Sequence, residues 1–201
     1  NIFDVNVKTS GVWTVNTGTL LPTSGGPFTD LIDGVYEINA ISTDFAGNTS
    51  TDASIDELTI DITIPTAPTV DVLATNDNTP EISGTNGLGT SLPAGEILTV
   101  TVGGATYTVT PDAGGIWAIN TATAIPSSGV LGVFNDGTYQ IVAKISDGAG
   151  NNASDFTTNE LRIDTTPPAI PTIDFLTTNN PRPVLTGSAD IGSTVYITVS
   201  S

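Results

Sequence analysis

One pattern occurs twice in this chain at a fixed spacing. Asp44-Phe-Ala-Gly-Asn48 is followed by Glu57-Leu-Thr-Ile-Asp61, then Pro65 and Pro68. Asp147-Gly-Ala-Gly-Asn151 is followed by Glu160-Leu-Arg-Ile-Asp164, then Pro168 and Pro171, every pair 103 residues apart. A fixed period of that length means consecutive copies of one domain, and it constrains every local assignment. A copy of about 100 residues can bury a hydrophobic core without disulfide or metal staples. None of the 201 residues is a cysteine, so disulfides are excluded in any compartment.

The copies read as all-β. No segment sustains a 3.6-residue apolar period, while short Val, Ile, Thr and Tyr runs alternate with Gly, Pro, Asn and Asp clusters. The complete copy spans 66–168, with strands expected at 69–74, 80–85, 97–102, 106–110, 116–120, 138–146 and 160–164. Seven short strands in about 100 residues is the count of an immunoglobulin-like β-sandwich. Along 138–146, Tyr139, Ile141, Ala143 and Ile145 should face the core, and Gln140, Val142 and Lys144 the solvent. Asp136-Gly137 is a turn signal, and Tyr139 stands where a tyrosine corner would; Asp33-Gly34 and Tyr36 repeat both features. Trp117 and its counterpart Trp13 are expected as large core residues.

The flanking segments are parts of copies. Asn1 aligns with about Ala105, so 1–65 holds the last strands of one domain. Residues 169–201 hold the first strands of another, at 172–176, 183–186 and 195–199, and Ser201 aligns with about Gly104. The chain is therefore expected to be a window on a longer array, or to be completed by neighbouring copies. A half-sandwich alone leaves an open edge and a bare core face. The absence of any Met agrees with a piece of a longer protein, and no apolar run is long enough for a signal peptide, anchor or membrane insertion.

The net charge is −17, from 16 Asp and five Glu against four basic residues. Such a surface repels nucleic acid and anionic lipid, so neither is an expected partner. Asp is a poor strand former, a good turn residue and a good ligand for hard cations. The sandwich connectivity gathers these acids at one junction. Strand G of the first copy delivers Asp61 where the next copy begins with Asp71. The F–G loop of that next copy brings Asp147, Asn151 and Asp155, and the E–F loop of the first brings Asp30 and Asp33. Converging carboxylates repel unless a cation sits among them. A set of oxygen donors with no His or Cys selects calcium over zinc or copper. Asp44 with Asn48, and Asp136 with Asp164, repeat the pattern. Spacing alone leaves Asp44 and Asp147 open between ligand and turn residue. It favours a ligand role for Asp61 and Asp164, which end a strand before Pro, and a turn role for Asp112.

There is no EF-hand loop, no Gly-x-Ser-x-Gly elbow and no Gly-rich loop in a strand–loop–helix context, so no catalytic constellation is expected. Two sequons, Asn48-Thr-Ser50 and Asn152-Ala-Ser154, are too short a pattern to carry weight.

The segments Ser42-Thr-Asp-Phe-Ala-Gly-Asn-Thr-Ser50, Asn76-Asp-Asn-Thr-Pro-Glu-Ile-Ser-Gly84 and Ile163-Asp-Thr-Thr-Pro-Pro168 resemble the bacterial immunoglobulin-like repeats of giant RTX-type and biofilm-associated surface adhesins. The resemblance covers essentially the whole chain. It implies tandem β-sandwiches in an elongated rod at the bacterial cell surface, exported by a type I route, with calcium at the domain junctions. Carried onto this chain, the ligands would be Asp61, Asp71, Asp147 and Asn151 at one junction, and Asp164 and Asp174 at the next. The expected function is a non-enzymatic extender segment of an adhesin or extracellular filament. Its partners would be adjacent repeats or neighbouring copies, with any host, surface or biofilm target held by other domains. Two rivals are a ligand-binding adhesin module, which calls for aromatic-lined insertions, and an accessory domain of a secreted glycoside hydrolase.

Overall fold

A computed structural model of the chain describes residues 1–5, 7 and 10–200; Ser201, the last position aligned above, lies outside them. The described residues form two compact units, 1–64 with 148–151, and 65–147 with 152–201.

In the first unit the strands are β1 (Gly34–Tyr36), β2 (Ile41–Thr43), β3 (Thr49–Thr51) and β4 (Leu58–Ile60). β1 pairs antiparallel with β4, and β2 with β3. The β2–β3 hairpin closes through Asp44-Phe-Ala-Gly-Asn48. Gly47 sits there at φ 87°, a left-handed conformation that a Cβ would penalise. Trp13, expected in the core, is 50% exposed. The strand that covers its counterpart in the second unit has its own counterpart in 169–201, not in 1–64.

The second unit contains β5 (Thr69–Val70), β6 (Leu73–Thr75), β7 (Glu81–Thr85), β8 (Ile97–Val102), β9 (Ala105–Val109) and β10 (Ile116–Asn120). It continues with β11 (Ser128–Gly129), β12 (Gly137–Tyr139), β13 (Ile141–Ser146), β14 (Asn152–Ser154), β15 (Leu161–Ile163), β16 (Thr172–Ile173) and β17 (Gly187–Ser188). A five-stranded sheet runs β11-β9-β8-β13-β14, and three-stranded sheets run β10-β7-β5 and β12-β15-β6. All pairings are antiparallel except β15 with β6. Period-two burial along β8 and β13 puts Leu98, Val100, Val102, Ile141, Ala143 and Ile145 in one core with Ile82, Trp117, Ile119, Leu161 and Ile163. Each such aliphatic side chain stabilises the fold by about 1.5–3 kcal/mol relative to its exposed state.

Gly84 is what lets the β10-β7-β5 sheet sit flat on the core. A Cβ there would lie 2.0 Å from the Thr69 carbonyl oxygen and 2.6 Å from the Trp117 ring. The indole fills that space instead, 1% exposed, with Nε1 donating to the Thr85 carbonyl at 3.3 Å.

The expected single strand over 138–146 is two. It pairs with β15 as β12, then leaves at Gln140 and joins β8 and β14 as β13. At the switch the Ile141 amide donates to Glu160 Oε2 at 3.0 Å. In the first unit, Ile38 donates to Glu57 Oε2 at 3.0 Å. The Glu of the repeated Glu-Leu-x-Ile-Asp pattern is thus the acceptor that lets one strand serve two sheets. Tyr139 Oη accepts from Asn135 N at 2.8 Å and donates to Asn135 O at 2.9 Å, the bonding of a tyrosine corner. Tyr36 makes the same two bonds to Ile32.

Between 169 and 200 the strands are shorter than expected. β16 covers two residues of 172–176, β17 falls just beyond 183–186, and 195–199 forms no strand. A run of apolar residues becomes a strand only against a partner, and Val195, Ile197 and Val199 are exposed.

Candidate functional site

The expected ligand carboxylates sit at strand ends and turns, and most hold backbone. Asp33 Oδ1 accepts from Ile62 N at 2.6 Å, and its Oδ2 accepts from Thr63 Oγ1. Asp136 does the same work 103 residues later, accepting from Thr165 N at 2.7 Å and from the hydroxyls of Thr165 and Thr166. Each ties the loop before one strand to the chain leaving another. These hydrogen bonds favour the charged form. Thr63 and then Ile62 hold Asp33 below the ordinary carboxylate value. Thr165 and then Thr166 bring Asp136 down to about 2.

Asp136 therefore makes the fold acid-sensitive in one window. Its pKa is lower in the folded state, so its contribution is full above the unfolded value of 3.8 and is lost as pH falls through about 2. Asp136→Asn will remove that part of the acid dependence. Its melting temperature should change less than wild type across this window in a pH series, and an unchanged slope would contradict the assignment.

Asp44 closes its own turn. Its Oδ1 accepts from Ala46 N at 2.9 Å and Asn48 N at 2.8 Å, and its Oδ2 accepts from Asn48 Nδ2 at 2.7 Å. The Asn48 side chain is the main cause of its lowered pKa. Asp112 likewise takes Gly114 N and Ile116 N. Asp71 Oδ2 accepts from Ser83 Oγ at 2.6 Å, and Asp174 Oδ2 from Thr186 Oγ1 at 2.7 Å. Asp155 accepts from Ala143 N and Thr157 Oγ1.

Asp61 and Asp164 are more open. Asp61 Oδ1 accepts from Thr63 N at 3.1 Å. Asp164 pairs at 3.3 Å with Arg162, both exposed, and lines a groove with Thr75, Asn76 and Thr165. An exposed pair of this kind stabilises by at most about 1 kcal/mol. Residues 148–151 group with the first unit, where Asn151 Nδ2 donates to the Asp61 carbonyl at 2.9 Å.

Sequence reasoning missed one acid of the second unit. Glu96, just before β8, has a buried Oε2 with no hydrogen-bond partner among the described residues. Burial first, and the nearby Asp147 carboxylate second, push its carboxyl above the ordinary value. Glu96 has no counterpart in 1–64 or 169–201, so the repeat could not flag it. Among the described residues, no three side chains of His, Cys, Asp or Glu come together as a metal-holding group. The donor set is nonetheless all oxygen, and the mutual repulsion of Glu96 and Asp147 fits a cation. Protein carboxylates alone do not make its cage, so amide and backbone carbonyl oxygens or water would complete it.

Comparison with known families settles the scaffold. The profile of the bacterial Ig-like domain matches residues 69–165. Those residues are a bacterial Ig-like domain. No curated protein matches the chain significantly. The bacterial Ig-like domain is a non-catalytic module generally associated with adhesive and structural surface proteins. Its all-β sheets, tyrosine corner and buried Trp117 are those of an Ig-like β-sandwich. Among the described residues, no helix is long and apolar enough to cross a membrane.

Proposed function

We propose that this chain is a structural extender segment of a secreted bacterial surface adhesin or extracellular filament, built from tandem Ig-like copies of about 103 residues and stiffened by calcium at the junctions between copies. The observation that carries the reading is duplication of the carboxylate framework. Asp33 and Asp136, Asp71 and Asp174, and Glu57 and Glu160 make matching bonds at the same spacing of 103 residues. A binding module would be expected to differ between copies at its contact loops; here the loops repeat with the scaffold.

Two further facts support calcium. The Asn151–Asp61 bond brings together two expected ligands that are 90 residues apart in sequence. The Glu96–Asp147 pair places like charges where a cation would relieve them. Asp61, Asp71, Asp147 and Asn151 would hold the ion at one junction, and Asp164 and Asp174 at the next, with Asp33, Asp136 and Asp155 behind them. Bound there, calcium supplies the positive charge that cancels the acids and ties strand G of one copy to the loops of the following one. Removing bending freedom in this way turns a string of domains into a rod. The bacterial surface and the extracellular medium, where calcium is abundant, are the setting this mechanism requires.

Asp61→Ala tests the reading. It removes one ligand and leaves both hydrophobic cores untouched. Small-angle scattering in calcium should show a more flexible chain than wild type, while thermal unfolding of the 69–165 domain stays unchanged. Equal rigidity of the two proteins would contradict the role given to Asp61.

A further inference from the structure

The first unit exposes side chains whose counterparts in the bacterial Ig-like domain are buried. Ile38 is 42% exposed where Ile141 is fully buried. β2 is paired along one edge by β3, as β13 is by β14, but β13 has β8 on its other edge and β2 has no second neighbour. In the same way, β15 has β6 beside it, and β4 pairs only with β1.

The chain contains what is missing, elsewhere. Val195, Ile197 and Val199 align with Leu98, Val100 and Val102 of β8, and Leu176 aligns with Leu73 of β6. They too are exposed; Ile197 is 56% exposed where Val100 is fully buried. Residues 169–201 carry two Asp and one Arg, so little charge opposes their approach to the acidic first unit. A free edge and a bare apolar face are therefore matched, residue by residue, by an apolar segment with no partner of its own.

We propose that the first unit takes residues 172–199 from a second copy of this chain, completing an Ig-like sandwich in trans. The register follows from the intact domain. Ala143 faces Val100 and Ile141 faces Val102, so Ala40 faces Ile197 and Ile38 faces Val199 of the incoming strand. Leu161 runs beside Leu73 in parallel, so Leu58 runs beside Leu176. Main-chain hydrogen bonds along the β2 edge supply the affinity, and the alternate apolar side chains fix the register. Two copies exchanging reciprocally give a closed dimer; exchange in one direction gives an open head-to-tail chain. The inference rests on the repeat and the exposed faces, and it holds with or without calcium.

The chain has no cysteine, so engineered pairs report without background. The doubly substituted protein carrying Ala40→Cys and Ile197→Cys should form disulfides between copies under mild oxidation, seen as dimers and larger species on a non-reducing gel. The out-of-register pair Ala40→Cys with Tyr196→Cys should form far fewer. Wild-type protein should show a mass that rises with concentration in analytical ultracentrifugation. Equal cross-linking of the two pairs, cross-linked monomers alone, or a wild-type monomer at every concentration would each overturn the proposal. The wild-type measurement stands even if the cysteine variants fold poorly.

Discussion

Trp117→Ala will destabilise the bacterial Ig-like domain by about 3–5 kcal/mol, whereas Trp13→Ala will cost about 1 kcal/mol or less. The two residues are counterparts in the repeat, so sequence alone gives them equal weight. Their surroundings separate them. Trp117 is 1% exposed, packs under Gly84 and donates to the Thr85 carbonyl. Its removal leaves a cavity that β7 cannot close, because Gly84 has no side chain to move into it, and it leaves the Thr85 carbonyl without that donor. Trp13 is already half in water, and truncating it empties no cavity. Denaturant unfolding followed by circular dichroism should show a large loss of midpoint for the first variant, with the transition of the other unit nearly unchanged. Comparable losses for the two variants would mean that the first unit has a packed core of its own.

How much was legible follows from where each signal is stored. The β class and the core face of β13 were readable because period-two alternation directly reflects burial: Ile141, Ala143 and Ile145 are all fully buried. β8 and β10 were readable to the residue because apolar runs there are bounded by turn residues. The tyrosine corner was readable because Asp136-Gly137 fixes where β12 begins. The break at Gln140 was not, since the amide that leaves the ladder is satisfied by Glu160, 19 residues further on. The pattern Glu-Leu-x-Ile-Asp flagged that Glu but not its task. Residues 195–199 illustrate the limit of pattern. Their alternation is that of β8, but a strand is a property of a pair, and propensity cannot provide the partner.

The site was legible as a set of positions rather than as a geometry. Repetition marked Asp33, Asp71, Asp136 and Asp174, and each proves to accept hydrogen bonds that organise the loops. Spacing left Asp44 open between ligand and turn; the bonds from Ala46 and Asn48 give it the turn. Glu96 was invisible because it occurs once. Its burial beside Asp147 depends on the fold of the loop before β8, which no local motif encodes.

Calcium will raise the stability of the chain by about 2.7 kcal/mol per site at a free concentration 100 times the dissociation constant. With 21 acids against four basic residues, the folded state holds its carboxylates closer together than the unfolded chain does. A cation bound among them relieves that repulsion only when folded, and preferential binding of the folded state is what stabilises. Magnesium should do less, because a cage of loop carboxylates, amides and carbonyls is too loose for its strict octahedron. Extracellular calcium modules bind in the range of roughly 0.1–1 mM, so about 10 mM calcium saturates a site of this class. The deciding measurement is the melting curve of the 201-residue chain in excess chelator and again in about 10 mM calcium. The account predicts a clear upward shift with calcium that magnesium does not reproduce; superimposable curves in chelator and calcium would contradict it.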